Sequence, residues 1–512
     1  MSLTVATNTG ALMAQAAASS VNKEMEISME RLSTGRRINS ASDDAAGVAI
    51  ASRLTSNVRG LDQAVRNAMD AQALIDTAEG AQIEITNILQ RMRELSVQAA
   101  TDTNSVTDRA ALQNEISALQ KEVDRIASTT TWAGQNLLDG TFVTKNFQIG
   151  SGAGEGLTVS QVSLKSAAIG QHQLDGSASA LANSTDAAVS QQVATNFAIV
   201  GYKGSATASF AAGATAKAVA AAVNANSSTT GVESVAKTTA RISLGSASVG
   251  TLQMSVNGGG TSTSISANIT DITDLTNLLT AINNVSGTTM LTAAYDGTDK
   301  SKLILTQSEG DNIDIFNFQD ATTATVLSVQ AGNYAGASAG WETAVVASSA
   351  TTGVNDIHVT GVVRFQSENS FVVNSQAEAG STAVNDDTGY FGTVVGTNNQ
   401  AGGSSALSKV SAVDIGTQAG AVAAISVFDT AIQQLNTSRA SLGAYSNRLD
   451  STITNLTNIS GNSSAAISRI EDADFASETT NLAKTQILQQ AATAMLAQAN
   501  ASKQNVLSLL QG

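Results

Sequence analysis

The sequence has no cysteine and no proline, only two histidines, and few aromatic residues. Without cysteine there is no disulfide framework, no thiolate zinc site and no cysteine nucleophile. Average usage would place roughly 26 prolines in a chain this long. Proline breaks helix interiors and isomerises slowly about its preceding bond, so its absence suits very long helices and a chain that must fold promptly after travelling unfolded. His172 and His358 lie far apart, each with a single aspartate nearby, Asp175 and Asp356. They read as ordinary strand or loop residues rather than ligands or catalytic bases. Basic residues number 27 against 42 acidic ones, giving a net charge of −15. That balance disfavours nucleic acid or an anionic membrane surface as the main partner. No window approaches twenty apolar residues, so membrane insertion is not expected. The opening MSLTVATNTGALMAQAAASSVN has no basic start and a broken apolar run, unlike an ordinary secretion signal. No cofactor is indicated.

What is present divides into three zones. Up to residue 131 there is no Phe, Tyr or Trp, and nearly every arginine lies outside the centre, Arg241 and Arg364 being the exceptions. In the first zone apolar residues recur at steps of three and four, through Leu54, Val58, Leu61, Val65, Ala68, Ile75, Ala78, Ala81, Ile85, Ile88, Met92, Leu95 and Ala99. That spacing predicts one long helix with a coiled-coil seam. A second helix is predicted from about Ser105, after a polar turn. The last zone repeats the pattern at Phe428, Ile432, Leu435, Leu442, Leu449 and Leu456. Two seams at opposite ends of a chain are satisfied by packing on one another. The expected fold class is α+β: discontinuous terminal coiled-coil domains, packed together, with a central β-rich outer region.

The extreme ends differ from both seams. No side chain before Lys23 is charged, and from Gln486 onward Lys503 is the only charged one. The apolar positions Leu488, Met495, Val506, Leu507, Leu509 and Leu510 are sparse among Ala, Gln, Ser and Asn. Such helices are too weakly apolar for a strong isolated core and too uncharged for full exposure, which points to burial in an assembly.

Residues 36 to 47, RRINSASDDAAG, place two arginines ahead of adjacent carboxylates. With no His, Cys or metal-ligand partner in the pattern, Asp43 and Asp44 read as a helix cap rather than a catalytic pair, with Ser42 beside them. Gly35 relieves the preceding turn, and Arg36 and Arg37 are free to pair with carboxylates. Arg36, Arg37, Asn39, Asp43 and Asp44 are thus the candidate joint between subunits or helices.

LSTGRRINSASDDAAGVAIASRL at 32 to 54, ILQRMRELSVQAA at 88 to 100 and QNVLSLL at 504 to 510 resemble, in this order, the terminal signatures of bacterial flagellins. The resemblance covers about the first 145 and last 100 residues. It implies a non-enzymatic structural subunit, exported through a type III apparatus and polymerised into the helical filament of the extracellular flagellum. Partners implied are other copies of the chain, an export chaperone holding the C-terminal segment, and hook-associated and cap proteins. Residues 1–44 plus 466–512 are expected to form an inner tube, 45–145 plus 410–465 a helical shell, and 146–409 the outer region. The resemblance also implies recognition by a host Toll-like receptor through Gln90, Arg91, Glu94, Leu95 and Glu115. A hook-filament junction protein and a flagellin with an enzymatic insertion are the alternatives.

Within the centre, residues 216 to 236 and 276 to 295 align with Val219 on Leu278, Val223 on Ile282 and Asn224 on Asn283. Each segment reads as a helix, a polar turn and a strand, followed by a further strand at 240 to 245 or 301 to 307. Two related helix-hairpin units, about 206–250 and 264–320, are expected. Asp296, Asp299, Glu309, Asp311 and Asp314 lack EF-hand spacing and read as solvated turns rather than a calcium loop.

Overall fold

The computed structural model describes residues 8–176, 180–182, 196–211, 214–245, 250–297, 299–320, 326–334, 341, 344–348, 356–376 and 400–511. Nine helices are assigned among them: α1 (Thr9–Thr34), α2 (Ala45–Ala99), α3 (Val106–Thr129), α4 (Ala216–Asn224), α5 (Ser227–Thr230), α6 (Thr276–Asn284), α7 (Ser286–Thr289), α8 (Gln418–Glu471) and α9 (Phe475–Gln511). Two compact units are distinguished, Met1–Thr77 with Val143–Ser160 and Ser441–Gly512, and Ala78–Phe142 with Gln161–Ala440.

The long helices follow the expected periodicity with a shifted seam. Along α2 the buried positions include Leu61, Ala64, Ala68, Ala71, Ile75, Ala78, Gln82, Ile85, Leu89, Met92, Ser96 and Ala99. Their steps alternate between three and four, as in a heptad seam, with Leu74, Thr86 and Leu95 buried beside it. Val58, Val65 and Ile88, expected in it, are only half-buried. Small residues let helices approach closely, so Ala64 and Ala71 take seam positions that a search for bulky apolar residues passes over.

Within the first unit, Ser460 donates to Asp62 at 2.8 Å and Gln72 to Asp450 at 2.8 Å. Within the second, Gln82 donates to Ser438 at 3.2 Å, and Arg93 bonds Asp429 at 2.5 Å. In each unit α2 and α8 therefore run antiparallel. Phe428, Leu435, Leu442 and Leu449, at heptad steps, are buried along α8.

Helix α3 begins with a capping box: the Asp108 amide donates to Ser105 Oγ at 3.2 Å, and the Ser105 amide to Asp108 Oδ2 at 2.9 Å. The buried Arg109 closes the turn by donating to the Ala99 and Thr101 carbonyls at 2.8 and 3.1 Å.

The strands occupy the middle of the chain. Two ribbons come first, β1 (Thr131–Trp132) with β2 (Gln135–Asn136), and β3 (Thr144–Gln148) with β4 (Gly156–Ser160). Next come β5 (Gly170–Asp175), β6 (Ala180–Ala182), β7 (Asn196–Val200), β8 (Ser205–Ser209) and β9 (Glu233–Leu244). They are followed by β10 (Gly250–Asn257), β11 (Thr263–Ile269), β12 (Thr292–Asp296), β13 (Asp299–Gln307), β14 (Ile313–Asp320) and β15 (Val326–Ala331). The last are β16 (Val345–Ser348), β17 (Ile357–Val359), β18 (Val362–Ser367), β19 (Val372–Gln376), β20 (Gln400–Ser404) and β21 (Ala406–Lys409). Three antiparallel sheets result, β11-β10-β14-β17-β6, β20-β19-β7-β8, and a path β12-β13-β9-β18-β5-β21 with β15 also on β9.

The segment 240 to 244 is not a separate strand, as the sequence suggested, but the second half of β9. Apolar Ala240, Ile242 and Leu244 alternate there with polar Arg241 and Ser243, continuing the strand with no turn residue to break it.

The two helix-turn-strand segments share side-chain bonds. Asn224 Nδ2 donates to the Ser234 carbonyl at 2.9 Å, and the Ser234 amide returns a bond to Asn224 Oδ1 at 2.7 Å. Asn283 makes the same pair with Ala293, at 3.0 and 2.8 Å. The turn between is left-handed in both, at Gly231 (φ 71°) and Met290 (φ 61°). A side chain in that region is disfavoured by roughly 1 kcal/mol, and Met290 is exposed, so its side chain contributes little packing. Met290→Gly is expected to stabilise the outer region by about 0.5–1 kcal/mol in denaturant melts; a loss of stability counts against the assigned turn.

Candidate joint and assembly surface

At the joint each chain half breaks its helix, and the two breaks are stitched together. Helix α1 ends at Gly35, whose left-handed conformation lets its amide donate to the Arg31 carbonyl at 2.9 Å. Arg36 forms a β-bridge with Asp472, the Arg37 amide donates to the Glu471 carbonyl at 2.6 Å, and the Ala473 amide to the Gly35 carbonyl at 2.9 Å. Side chains reinforce these bonds: Arg36 pairs with Glu471 at 3.3 Å, and Arg37 Nη2 donates to the Ile470 carbonyl at 2.7 Å.

The Asp pair divides its work. Asp44 Oδ1 accepts from the Gly47 amide at 2.8 Å and caps α2. Asp43 Oδ2 instead accepts from the Ser40 and Asn39 amides at 2.9 and 3.1 Å, tying the loop back on itself. Those backbone bonds hold the Asp43 carboxyl below its usual range. Ser42, expected among the caps, bonds Ser40 at 2.6 Å instead. Asn39 Nδ2 donates to the Arg36 carbonyl at 3.3 Å. No group at the joint is arranged as nucleophile and base.

Helices α1 and α9 pack together through a mixed seam of alanines, polar residues and a few larger apolar side chains. Ala11, Ala14, Ala18, Val21, Met25 and Ser28 face it from α1, and Leu482, Thr485, Gln489, Ala492, Leu496 and Ala499 are the shielded positions of α9. Gln489 donates to Asn22 at 2.8 Å and Asn8 to the Ala499 carbonyl at 3.3 Å. Ser28, Glu478 and Thr485 are the buried residues here, and no apolar side chain described on either helix is buried. Several larger apolar residues point away: Met13 is 75% exposed, Ile487 67% and Met495 65%, with Leu12 and Leu488 also exposed. The side chains of Val506, Leu507, Leu509 and Leu510 lie outside the described residues.

The third candidate site is only partly on the surface. Gln90, Arg91, Glu94 and Glu115 are exposed, and Arg91 bonds Glu115 at 2.9 Å and Glu94 at 3.2 Å. These two carboxylates, Glu115 foremost, raise the Arg91 pKa. Leu95 is buried at 1% exposure. The expectation that Leu95 belongs to the surface patch is corrected: α2 turns Leu95 inward with Met92 and Ala99, leaving a polar patch. The five central acids have separate roles. Asp296 pairs with Arg241, Asp299 with Lys302, Glu309 and Asp311 with Lys217, and Asp314 with His358.

The helical regions match known proteins at both ends. Residues 5–143 match the model of the bacterial flagellin N-terminal helical region and 425–510 that of the bacterial flagellin C-terminal helical region; 196–248 match the flagellin hook IN motif. A B-type flagellin of Pseudomonas aeruginosa is 38% identical over 518 residues, covering 100% of both chains. The chain belongs to the bacterial flagellin family. Flagellin D of Vibrio anguillarum is 32% identical over 510 residues, again covering 100% of each chain. A solved FliC from Burkholderia pseudomallei aligns with a TM-score of 0.28 and 20% identity, over 74% of this chain and 99% of that one.

This flagellin is accordingly a structural subunit of the flagellar filament rather than an enzyme, and it polymerises into an extracellular appendage for swimming. No described helix is long and apolar enough to cross a membrane.

One feature of this flagellin escaped the sequence reading. Gln82 is fully buried in the α2 seam, bonded to Ser438, whose hydroxyl lies 3.5 Å from Gln161 Oε1. Arg439 reaches Glu79 at 3.5 Å beside them. Glutamine at a seam position of a strict three-four pattern is the signal that was available.

Proposed function

We propose that 1–44 with 466–512 line the inner tube of the filament, that 45–145 with 410–465 build the surrounding shell, and that 146–409 face outward. The observation that carries this reading is the pairing of α1 with α9 through a seam in which no described apolar side chain is fully buried, while Met13, Ile487 and Met495 stay exposed. A single chain offers these side chains nothing to pack against, so neighbouring copies bury them. Head-to-tail contacts that do not close generate a helical fibre. The stitched joint transmits that packing between the helix pairs, with Arg36, Arg37, Asn39, Asp43 and Asp44 fixing its angle.

The same exposed residues suit an export chaperone that shields α9 before release, on the way to a type III export apparatus and a tip occupied by cap and hook-associated proteins. Toll-like receptor sensing of the depolymerised chain rests on Gln90, Arg91, Glu94 and Glu115, with Leu95 as internal support. Deleting 1–30 or 483–512 is expected to leave a soluble monomer that seeds do not elongate. Normal filaments from either truncation, seen by electron microscopy, would remove the inner-tube assignment.

A further inference from the structure

The two related units of the centre are not arranged in tandem. In the second, the strand after the turn, β12, pairs with β13, placing Ala293 opposite Leu305, and β14 then pairs with β10, placing Ile315 opposite Val256. In the first, the strand after the turn is β9, and its partner is the distant β18, which places Ser234 opposite Phe365. The chain then continues into β19, which pairs with β7 and places Val373 opposite Ile199. Thus β18-β19 stands to the first unit as β13-β14 stands to the second. A loop bond repeats too: Ser367 Oγ accepts from the Asn369 amide, and Gln307 Oε1 from the Glu309 amide.

We infer that residues 238–361 are a complete second copy of the unit, with its trailing strands, inserted at the tip of the β9-β18 hairpin of the first, and that each copy folds around its own core. The cores divide at these boundaries. Phe197, Val219, Val223, Val363, Phe365 and Val373 belong to one cluster, none of whose members lies in 238–361. Met254, Leu278, Ile282, Leu303 and Phe318 belong to the other, whose buried members run from Ala240 to Val362. β6, outside 238–361, pairs with β17 inside it over three residues, whereas the contacts joining the copies across α4 are polar: Lys217 reaches Glu309 at 2.5 Å and Asp311 at 3.1 Å, and its amide donates to the Gly310 carbonyl at 3.1 Å. Exposed ion pairs of this kind couple modules weakly.

The junction has the geometry of a hairpin that was opened. Lys237 and Val362 are register partners, so two residues suffice to close the receiving copy. The inserted copy closes its own hairpin in that way, with Asp296 opposite Asp299. What the inserted copy presents to its surroundings can therefore change while the receiving copy stays shut. This goes beyond the filament role, because it assigns a separable module and its attachment point.

The test is hydrogen exchange on the full chain carrying Leu278→Ala with Ile282→Ala. Amides of β10, β13 and β14 should exchange faster by roughly a hundredfold or more, because large-to-small changes in a core open it locally. Amides of β7, β18 and β19 should stay within about threefold of the unaltered chain. Matching losses in both sets would show one cooperative core and overturn the inference. As a second variant, residues 238–361 are replaced by Asn-Gly within the full chain. Protection retained in β7 and β19 supports the inference, and its loss with the terminal helices still formed overturns it.

Discussion

Replacing Ile487 and Met495 together by aspartate is expected to abolish polymerisation at concentrations where the unaltered chain forms filaments, with no change in the helical content of the monomer. Both side chains are about two-thirds exposed on α9 and contribute nothing to the α1 seam. Burying two side chains of this size is worth about 4 kcal/mol per subunit, which is on the order of a thousandfold in critical concentration. Aspartate adds a desolvation cost to that loss. Gln489→Ala is the control, since Gln489 lies inside the seam against Asn22 and its loss touches a single exposed hydrogen bond. Sedimentation and electron microscopy across a concentration series read the result. Filaments at the usual threshold from the double aspartate variant would mean that α9 meets its neighbours through another face.

That face was hidden from the sequence for a physical reason. A helix such as α2 declares its buried stripe, because Leu61, Ile75, Ile85 and Leu89 recur with the heptad and most of the remaining positions are polar. Helix α9 has Leu, Ile and Met at positions that no single stripe contains, so periodicity does not choose a face. Leu488 and Met495 stand out in the sequence only as sparse apolar positions. Packing instead turns Leu482, Thr485, Gln489, Ala492 and Leu496 inward, where Thr485, Gln489 and Ala492 permit close approach to the alanine-rich α1.

Local chemistry was easier to read than long-range pairing. The turn before α3 and the cap supplied by Asp44 follow from Ser, Asp and Asn at fixed offsets. The helix-turn-strand likeness of the centre was visible at Asn224 and Asn283, whose reciprocal backbone bonds explain why asparagine stands at both. The partner of β9 was not visible. A strand carries no mark naming a partner beyond an insertion, and nearby strands are the simpler assumption. Asp43 and Ser42 were grouped with Asp44 as caps because the three are adjacent; the loop amides of Asn39 and Ser40 compete for Asp43 and win.

Leu95→Ala is expected to lower the stability of the helical region by about 2–5 kcal/mol, the cost of a cavity at a fully buried leucine, and to shift thermal unfolding measured by circular dichroism accordingly. Arg91→Ala should cost under about 1 kcal/mol, since Arg91 makes only exposed pairs with Glu115 and Glu94. The difference decides how receptor signalling can be tested. A variant lacking both side chains loses the fold beneath the patch along with the patch, so silence from it says nothing about contact. Arg91→Ala alone removes the exposed cation and releases both glutamates while leaving Met92, Leu95 and Ala99 packed. If the polar patch meets a Toll-like receptor, depolymerised Arg91→Ala chain loses most of its potency in a reporter-cell assay at unchanged melting temperature. Full potency from that variant would exclude the patch, and a stable Leu95→Ala chain would show that α2 does not bury this residue.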